Sequence, residues 1–184
     1  SNVNIKVYKG STWWVDANTN QPGSGSQVLN TTGWEARSDY RVGIELRVSP
    51  YTITYSNYFT VSETVPPVFS SVSLPGSVNL PNKIYFSGSV SDNAALASIS
   101  MYVSGPKGNN IVAFTDTSVS NTTSKNLGSY YFDSSNSTYA GVTGSYTVYL
   151  RATDTSGNST NSSTFSVTVS ETAPPSPPIL TSPN

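Results

Sequence analysis

The chain contains no cysteine and no histidine. Without cysteine there is neither a disulfide nor a thiolate metal site, and without histidine the commonest general base near neutral pH is missing too. Charge is also scarce, at 10% of 184 residues. Five basic residues balance five acidic ones up to Glu63, and four balance four from there to Ser170. The sequence therefore offers no basic patch for a phosphate backbone, which excludes nucleic acid as a partner. No run of about eighteen apolar residues occurs, so membrane insertion through a helix is not expected. With no signal peptide ahead of the first strand-like residues, the chain reads as a mature or excised segment of something longer. Carboxylates would have to carry any catalysis. Yet residues 65–170 hold no Glu, and their four Asp lie in turn-like contexts, so no glycosidase-type pair suggests itself and no enzyme is expected.

Solubility must come from hydroxyls and amides: the chain has 34 Ser, 22 Thr and 17 Asn. Such a composition points to an extracellular or cell-surface β protein. The organising feature is an internal echo. Ser62-Glu63-Thr64-Val65-Pro66-Pro67 returns 108 residues later as Ser170-Glu171-Thr172-Ala173-Pro174-Pro175, each copy following a strand-like run. Paired prolines fix φ and remove donors, so a sheet ends there and a stiff linker begins. The interval matches one immunoglobulin-like sandwich. The expected fold class is all-β, with two tandem Ig-like β-sandwiches joined by a Pro-rich linker, the first incomplete. The boundaries are 1–64, 65–170, and 171–184 as a linker with a strand-like tail.

Period-two alternation supports this wherever a period is visible. Val3, Ile5 and Val7 alternate with polar residues, as do Tyr40, Val42, Ile44, Leu46 and Val48. Asn18–Ser26 reads as a loop, with a further strand at Val28 and Leu29. The second half offers seven candidate strands, one ending before Asp92 and another beginning near Ile99. Tyr40, Val42, Ile44, Leu46, Phe59 and Val61 are the expected first core. Phe86, Val90, Ile99, Met101, Tyr146, Val148, Leu150 and Val167 are the expected second.

Two resemblances follow from particular motifs. Val90-Ser91-Asp92-Asn93-Ala94-Ala95-Leu96 and Gly144-Ser145-Tyr146, continuing to Asp154-Thr155-Ser156-Gly157-Asn158, make residues 66–170 resemble a bacterial Ig-like domain. That implies a corner in which the Tyr146 hydroxyl bonds back to the chain, and a hairpin needing positive φ. Val3-x-Ile5-x-Val7-Tyr8-Lys9-Gly10, Tyr40-x-Val42-x-Ile44 and Tyr55 to Val61 make residues 3–62 resemble the KNH-type domain of cell-wall and surface proteins. The opening strand of that family and a second strand before the Val-x-Ile motif are both missing at the start, but Ile179-Leu180-Thr181-Ser182-Pro183-Asn184 resembles the opening strand, either as a strand to be donated to another copy or as the beginning of a neighbouring repeat.

Candidate sites are few. Asp92 and Asn93 leave one expected strand while Asp154, Gly157 and Asn158 leave another at the same end, a set of hard oxygens suited to Ca²⁺. The competing reading is that each carboxylate closes an Asx-turn on its own backbone. Trp13, Trp14, Trp34 and the tyrosines offer either core packing or a platform for polysaccharide. Sequons at Asn30, Asn121, Asn136, Asn158 and Asn161 are candidate glycosylation sites, in the number this composition gives by chance. Ile179, Leu180 and Thr181 are candidate strand donors to the first domain of another copy. The expectation is a non-catalytic structural module that needs no cofactor, whose partners are further copies of itself or neighbouring Ig-like repeats. The alternatives are a carbohydrate-binding accessory module and a calcium-stiffened adhesin stalk.

Overall fold

The computed structural model describes residues 2–32 and 34–172. The candidate donors Ile179, Leu180 and Thr181 lie outside the described residues. Every regular element among those described is a strand, and the chain divides between Thr64 and Val65 into two compact units.

In the first unit, β1 (Asn2–Lys9), β2 (Thr12–Pro22), β3 (Arg37–Leu46), β4 (Ile53–Tyr55) and β5 (Phe59–Val61) form one sheet. Its order is β2-β1-β3-β4, with β5 also paired to β3. Val3 lies opposite Leu46, Ile5 opposite Ile44 and Val7 opposite Val42. Residues directly opposite share a face, so this register gathers six aliphatic side chains on one side of the sheet. Three expectations are corrected here. Asn18–Ser26 is not all loop, because Asn2 and Val3 pair with Pro22 and Gln21 and hold β2 in the ladder that far. Val28 and Leu29 form no strand, and Val28 is 93% exposed. The expected first core is only partly closed: Tyr40 is fully buried, but Ile44 and Leu46 are 46% and 38% exposed. The physical reason is that all five strands of this unit lie in a single sheet.

The second unit is a β-sandwich. Its strands are β6 (Val68–Ser73), β7 (Ser77–Asn79), β8 (Lys83–Tyr85), β9 (Ser87–Gly105), β10 (Gly108–Asp116), β11 (Thr122–Asn126), β12 (Tyr131–Asp133), β13 (Gly144–Asp154), β14 (Ser159–Asn161) and β15 (Phe165–Ser170). β9 serves both layers. Its first part pairs with β6 and β11, and its second part with β10 and β13. Beyond β13 come β15 and then β7, which runs parallel to β15. The expected break at Asp92 is therefore absent: Leu96 pairs with both Thr122 and Asp154, and the Thr155 amide donates to the Ala95 carbonyl, so the ladder carries the chain through. Between β14 and β15 the pairing with β13 is kept by Ser162, whose Oγ accepts from the Leu150 amide while its own amide donates to the Leu150 carbonyl. Gly88 sits where β9 crosses β6. Its φ is +92°, and a Cβ there would lie 2.6 Å from the Ser70 and Ser71 carbonyl oxygens, so only glycine fits.

All eight residues of the expected second core are buried, joined by Leu96, Val119, Leu127, Phe132 and Ala140. The contrast between the units gives a quantitative expectation. Val148→Ala, at a site with no exposure, should destabilise the second unit by about 1–3 kcal/mol, whereas Ile44→Ala should cost less than about 1 kcal/mol because that side chain is half in water already. Urea unfolding of the two variants measures the difference, and the reverse order would refute the assignment of a closed and an open core.

Candidate functional site

The aliphatic face of β1 and β3 departs from a closed fold, with Ile44 and Leu46 left partly in water. At one end of this face the aromatic side chains close over it. Trp14 and Trp34 meet edge to face at 4.9 Å, Trp34 lies 5.0 Å from Tyr40, and Tyr40 stacks on Phe59 at 5.9 Å. Lys9 Nζ caps the Trp14 ring at 4.2 Å. Trp13, its neighbour in sequence, pairs with Tyr8 and remains 55% exposed, and Trp14 is the extra residue between the Tyr8–Trp13 and Val7–Val15 pairs. Towards the other end the cover is a loop, and beneath it lies a crevice of about 250 Å³ lined by Val3, Ile5, Leu29, Val42 and Ile44 with Pro22–Gly25 and Gln27. Val48, just beyond β3, is 49% exposed. An apolar face of this kind, rimmed by Ser, Gly and Gln, has the chemistry of a surface that takes up a strand or an apolar segment.

In the second unit the Asp154 carboxyl group is buried and serves the β13–β14 turn. Its Oδ1 accepts from the amides of Ser156 and Asn158, both at 2.8 Å, and its Oδ2 accepts from Asn158 Nδ2 at 2.8 Å. Gly157 has φ +93°, the left-handed value this hairpin needs. Asp92 Oδ2 accepts from the Ala94 amide at 2.9 Å, while its Oδ1 is shielded from solvent without a hydrogen bond. Both carboxylates thus close short turns. The register of β9 on β13 places Asp154 beside Leu96, four residues past Asp92, and among the described residues no group of three or more acidic or His side chains gathers there. The Tyr146 hydroxyl donates to the Val142 carbonyl at 2.7 Å, the corner implied by the resemblance.

Of the sequon asparagines, Asn30, Asn121 and Asn161 are exposed. Asn136 Oδ1 accepts from the Thr138 amide, a bond that leaves its Nδ2 available, whereas Asn158 Nδ2 donates to Asp154 Oδ2, so a glycan at Asn158 would crowd the turn that Asp154 holds. One polar pair was not legible in the sequence: the Tyr130 hydroxyl donates to Asp116 Oδ2 at 2.6 Å, across fourteen residues. Hydrogen bonds from the Ser118 hydroxyl and then from Tyr130 hold the Asp116 carboxyl below the usual range. Burial, and then the same carboxylate, push the Tyr130 hydroxyl up.

No protein-family model and no curated protein matches the chain. Among solved structures it is similar to the crystal structure of the chicken CNTN1 FN1–FN3 domains, with 15% identity and a TM-score of 0.36 over 91% of this chain and 56% of that one. The chain spans little more than half the length of that neighbour. The all-β assignment stands on the chain's own sheets.

Two outcomes are expected. Because the Asp154 oxygens already hold three donors, excess calcium should leave the melting temperature of the second unit unchanged; a clear rise would show an ion bound to the folded state. Because the folded pKa of Asp116 lies below its unfolded value, its stabilisation is full above the ordinary carboxylate pKa of about 4 and is lost as pH falls through the folded value. The stability gap between the unaltered chain and Asp116→Asn should therefore narrow on acidification below the ordinary carboxylate pKa of about 4, as read by urea titrations at each pH.

Proposed function

We propose that this chain is a non-catalytic structural segment of an extracellular or cell-surface protein, built of β modules in tandem. Its first unit is completed by a strand from another copy. The observation that carries the reading is the half-covered aliphatic face of β1 and β3, with Ile44 46% and Leu46 38% exposed above the Val3–Ile5–Val42 crevice. The occupant we assign is residues 179–184 of a second copy. That segment is apolar at Ile179 and Leu180, follows the Pro174-Pro175-Ser176-Pro177-Pro178 spacer, and resembles the opening strand of KNH-type domains. Outer strands of the sheet, such as β2, pair on one side only and so keep free backbone groups to which an added strand can bond. A contact of this kind is heterologous, and repetition of it gives a chain of subunits. The absence of His and Cys and the extracellular composition agree with a structural role.

Sedimentation of the full chain and of a chain ending at Pro175 tests the reading. The full chain should form concentration-dependent oligomers, the shortened one should be monomeric, and Ile44→Asp should behave like the shortened chain while the second unit still melts normally. A full chain that stays a monodisperse monomer at high concentration would remove the strand-addition reading.

A further inference from the structure

Side chains alternate along β3, so the residues between those of the aliphatic face form a second surface on the other side of the sheet. Arg41, Gly43 and Glu45 lie there. The Glu45 carboxylate is occupied, by Lys6 Nζ at 2.9 Å and by Asn4 Nδ2 at 3.1 Å. Arg41, two positions along the same face, is left without a carboxylate. Among the described residues it forms no ion pair, and its Nε is shut off from solvent with no hydrogen-bond acceptor. Aromatic rings surround it instead. Its guanidinium carbon lies 4.0 Å from the centre of the Tyr55 ring, 5.4 Å from Tyr58 and 5.6 Å from Tyr8.

The cage depends on a missing side chain. Tyr8 and Tyr55 meet edge to face at 5.2 Å directly over Gly43, where a Cβ would come within 2.8 Å of Tyr8 Cε2, 3.0 Å of Ile53 Cγ2 and 3.3 Å of Tyr55 Cε1. Ring faces attract the cation but offer no lone pairs to its N–H groups. A guanidinium partly removed from water and without a counter-ion is costly to keep. A carboxylate arriving at its outer edge restores charge-assisted hydrogen bonds, and the rim it would meet is aromatic, since Tyr55 and Tyr58 are 44% and 55% exposed.

We propose that this cage binds a uronic-acid residue of an acidic polysaccharide, its carboxylate on the terminal N–H groups of Arg41 and the C–H face of its pyranose ring on Tyr58. A uronosyl unit carries a flat apolar face and a single carboxylate at its rim, which matches one cation beside one exposed ring. An acidic peptide supplies the charge but no flat apolar face to set against the tyrosine.

Calorimetric titration of the full chain with an oligogalacturonate, a neutral oligosaccharide of equal length and an oligoglutamate tests the assignment. The uronate should bind at least tenfold more tightly than either of the others, and its affinity should fall with added salt. Arg41→Gln and Tyr58→Ala should each weaken it tenfold or more. Tyr58 is exposed enough for its variant to keep the fold, which the melting profile checks, so the test does not hang on Arg41→Gln alone. Failure of the full chain to bind the uronate, undiminished binding by a folded Tyr58→Ala, or oligoglutamate binding of equal strength would each overturn it. None of these results depends on whether copies of the chain assemble, because Arg41 and Tyr58 are not among the residues of the aliphatic face on which the strand-addition reading rests.

Discussion

A β-sheet with one apolar face needs a second layer to bury that face, and the two units of this chain meet the requirement differently. In the second unit, β9 supplies the answer by belonging to both layers. Its first part is held by β6 and β11, its second part by β10 and β13, so the strands on either side are joined in one continuous eight-stranded ladder as well as by packing. Val90 lies in the first part, and Ile99, Met101 and Val103 in the second, all fully or almost fully buried. Gly88 is the steric condition for the crossing. In the first unit the layer opposite Val3, Ile5, Val42 and Ile44 is a loop and an aromatic cluster, which cover part of the stripe and leave the rest to solvent.

Scarcity of charge shapes how the turns are held. The chain uses short polar side chains against its own backbone where another protein would use ion pairs. Asp154 receives three donors within four residues of itself, Asp116 and Asp133 each bind the serine two residues on, and Asn126 and Asn136 close turns of the same span. These contacts are local and cost little chain entropy to form. They also explain why the acidic residues of the second unit serve turns: a carboxylate that caps its own backbone has fewer lone pairs left to share. Among the described residues the ion pairs lie mostly in the first unit, Lys6 with Glu45 and Arg37 with Asp39 among them.

The closed core was legible because alternation and burial coincide in a sandwich: Tyr146, Val148 and Leu150 had to share a face, and Val167, expected in the same core, lies opposite Tyr146. The Tyr146 corner and the Gly157 turn were legible for a similar reason, since each is a local motif. What the sequence did not disclose is long-range or depends on context. β9 runs unbroken through Asp92–Ala95 because of partners contributed by Thr122 and Asp154, which no local pattern announces. Val28 and Leu29 look like a strand by composition, yet with no neighbour to pair them they form part of the loop over the open face. Arg41 was counted only as one charge among nine. Its setting arises from three tyrosines on two separate stretches, Tyr8 on one and Tyr55 with Tyr58 on the other, and from the lack of a side chain at Gly43.

A sheet of one layer presents two faces with independent chemistry, and alternation along β3 assigns them without overlap. Tyr40, Val42 and Ile44 belong to the aliphatic face, and Arg41, Gly43 and Glu45 to the polar one. A change on one face therefore leaves the other's side chains in place as long as the ladder between β1 and β3 survives. The near-neutral charge of the chain, −1 at pH 7, adds a further constraint on the polar face. With no surrounding field of one sign to draw in a charged partner, recognition there rests on the single guanidinium and the rings that hold it. Salt should accordingly weaken an anionic ligand only by the small factor expected of one contact. A basic cleft, in which many charges act together, would show a far steeper dependence.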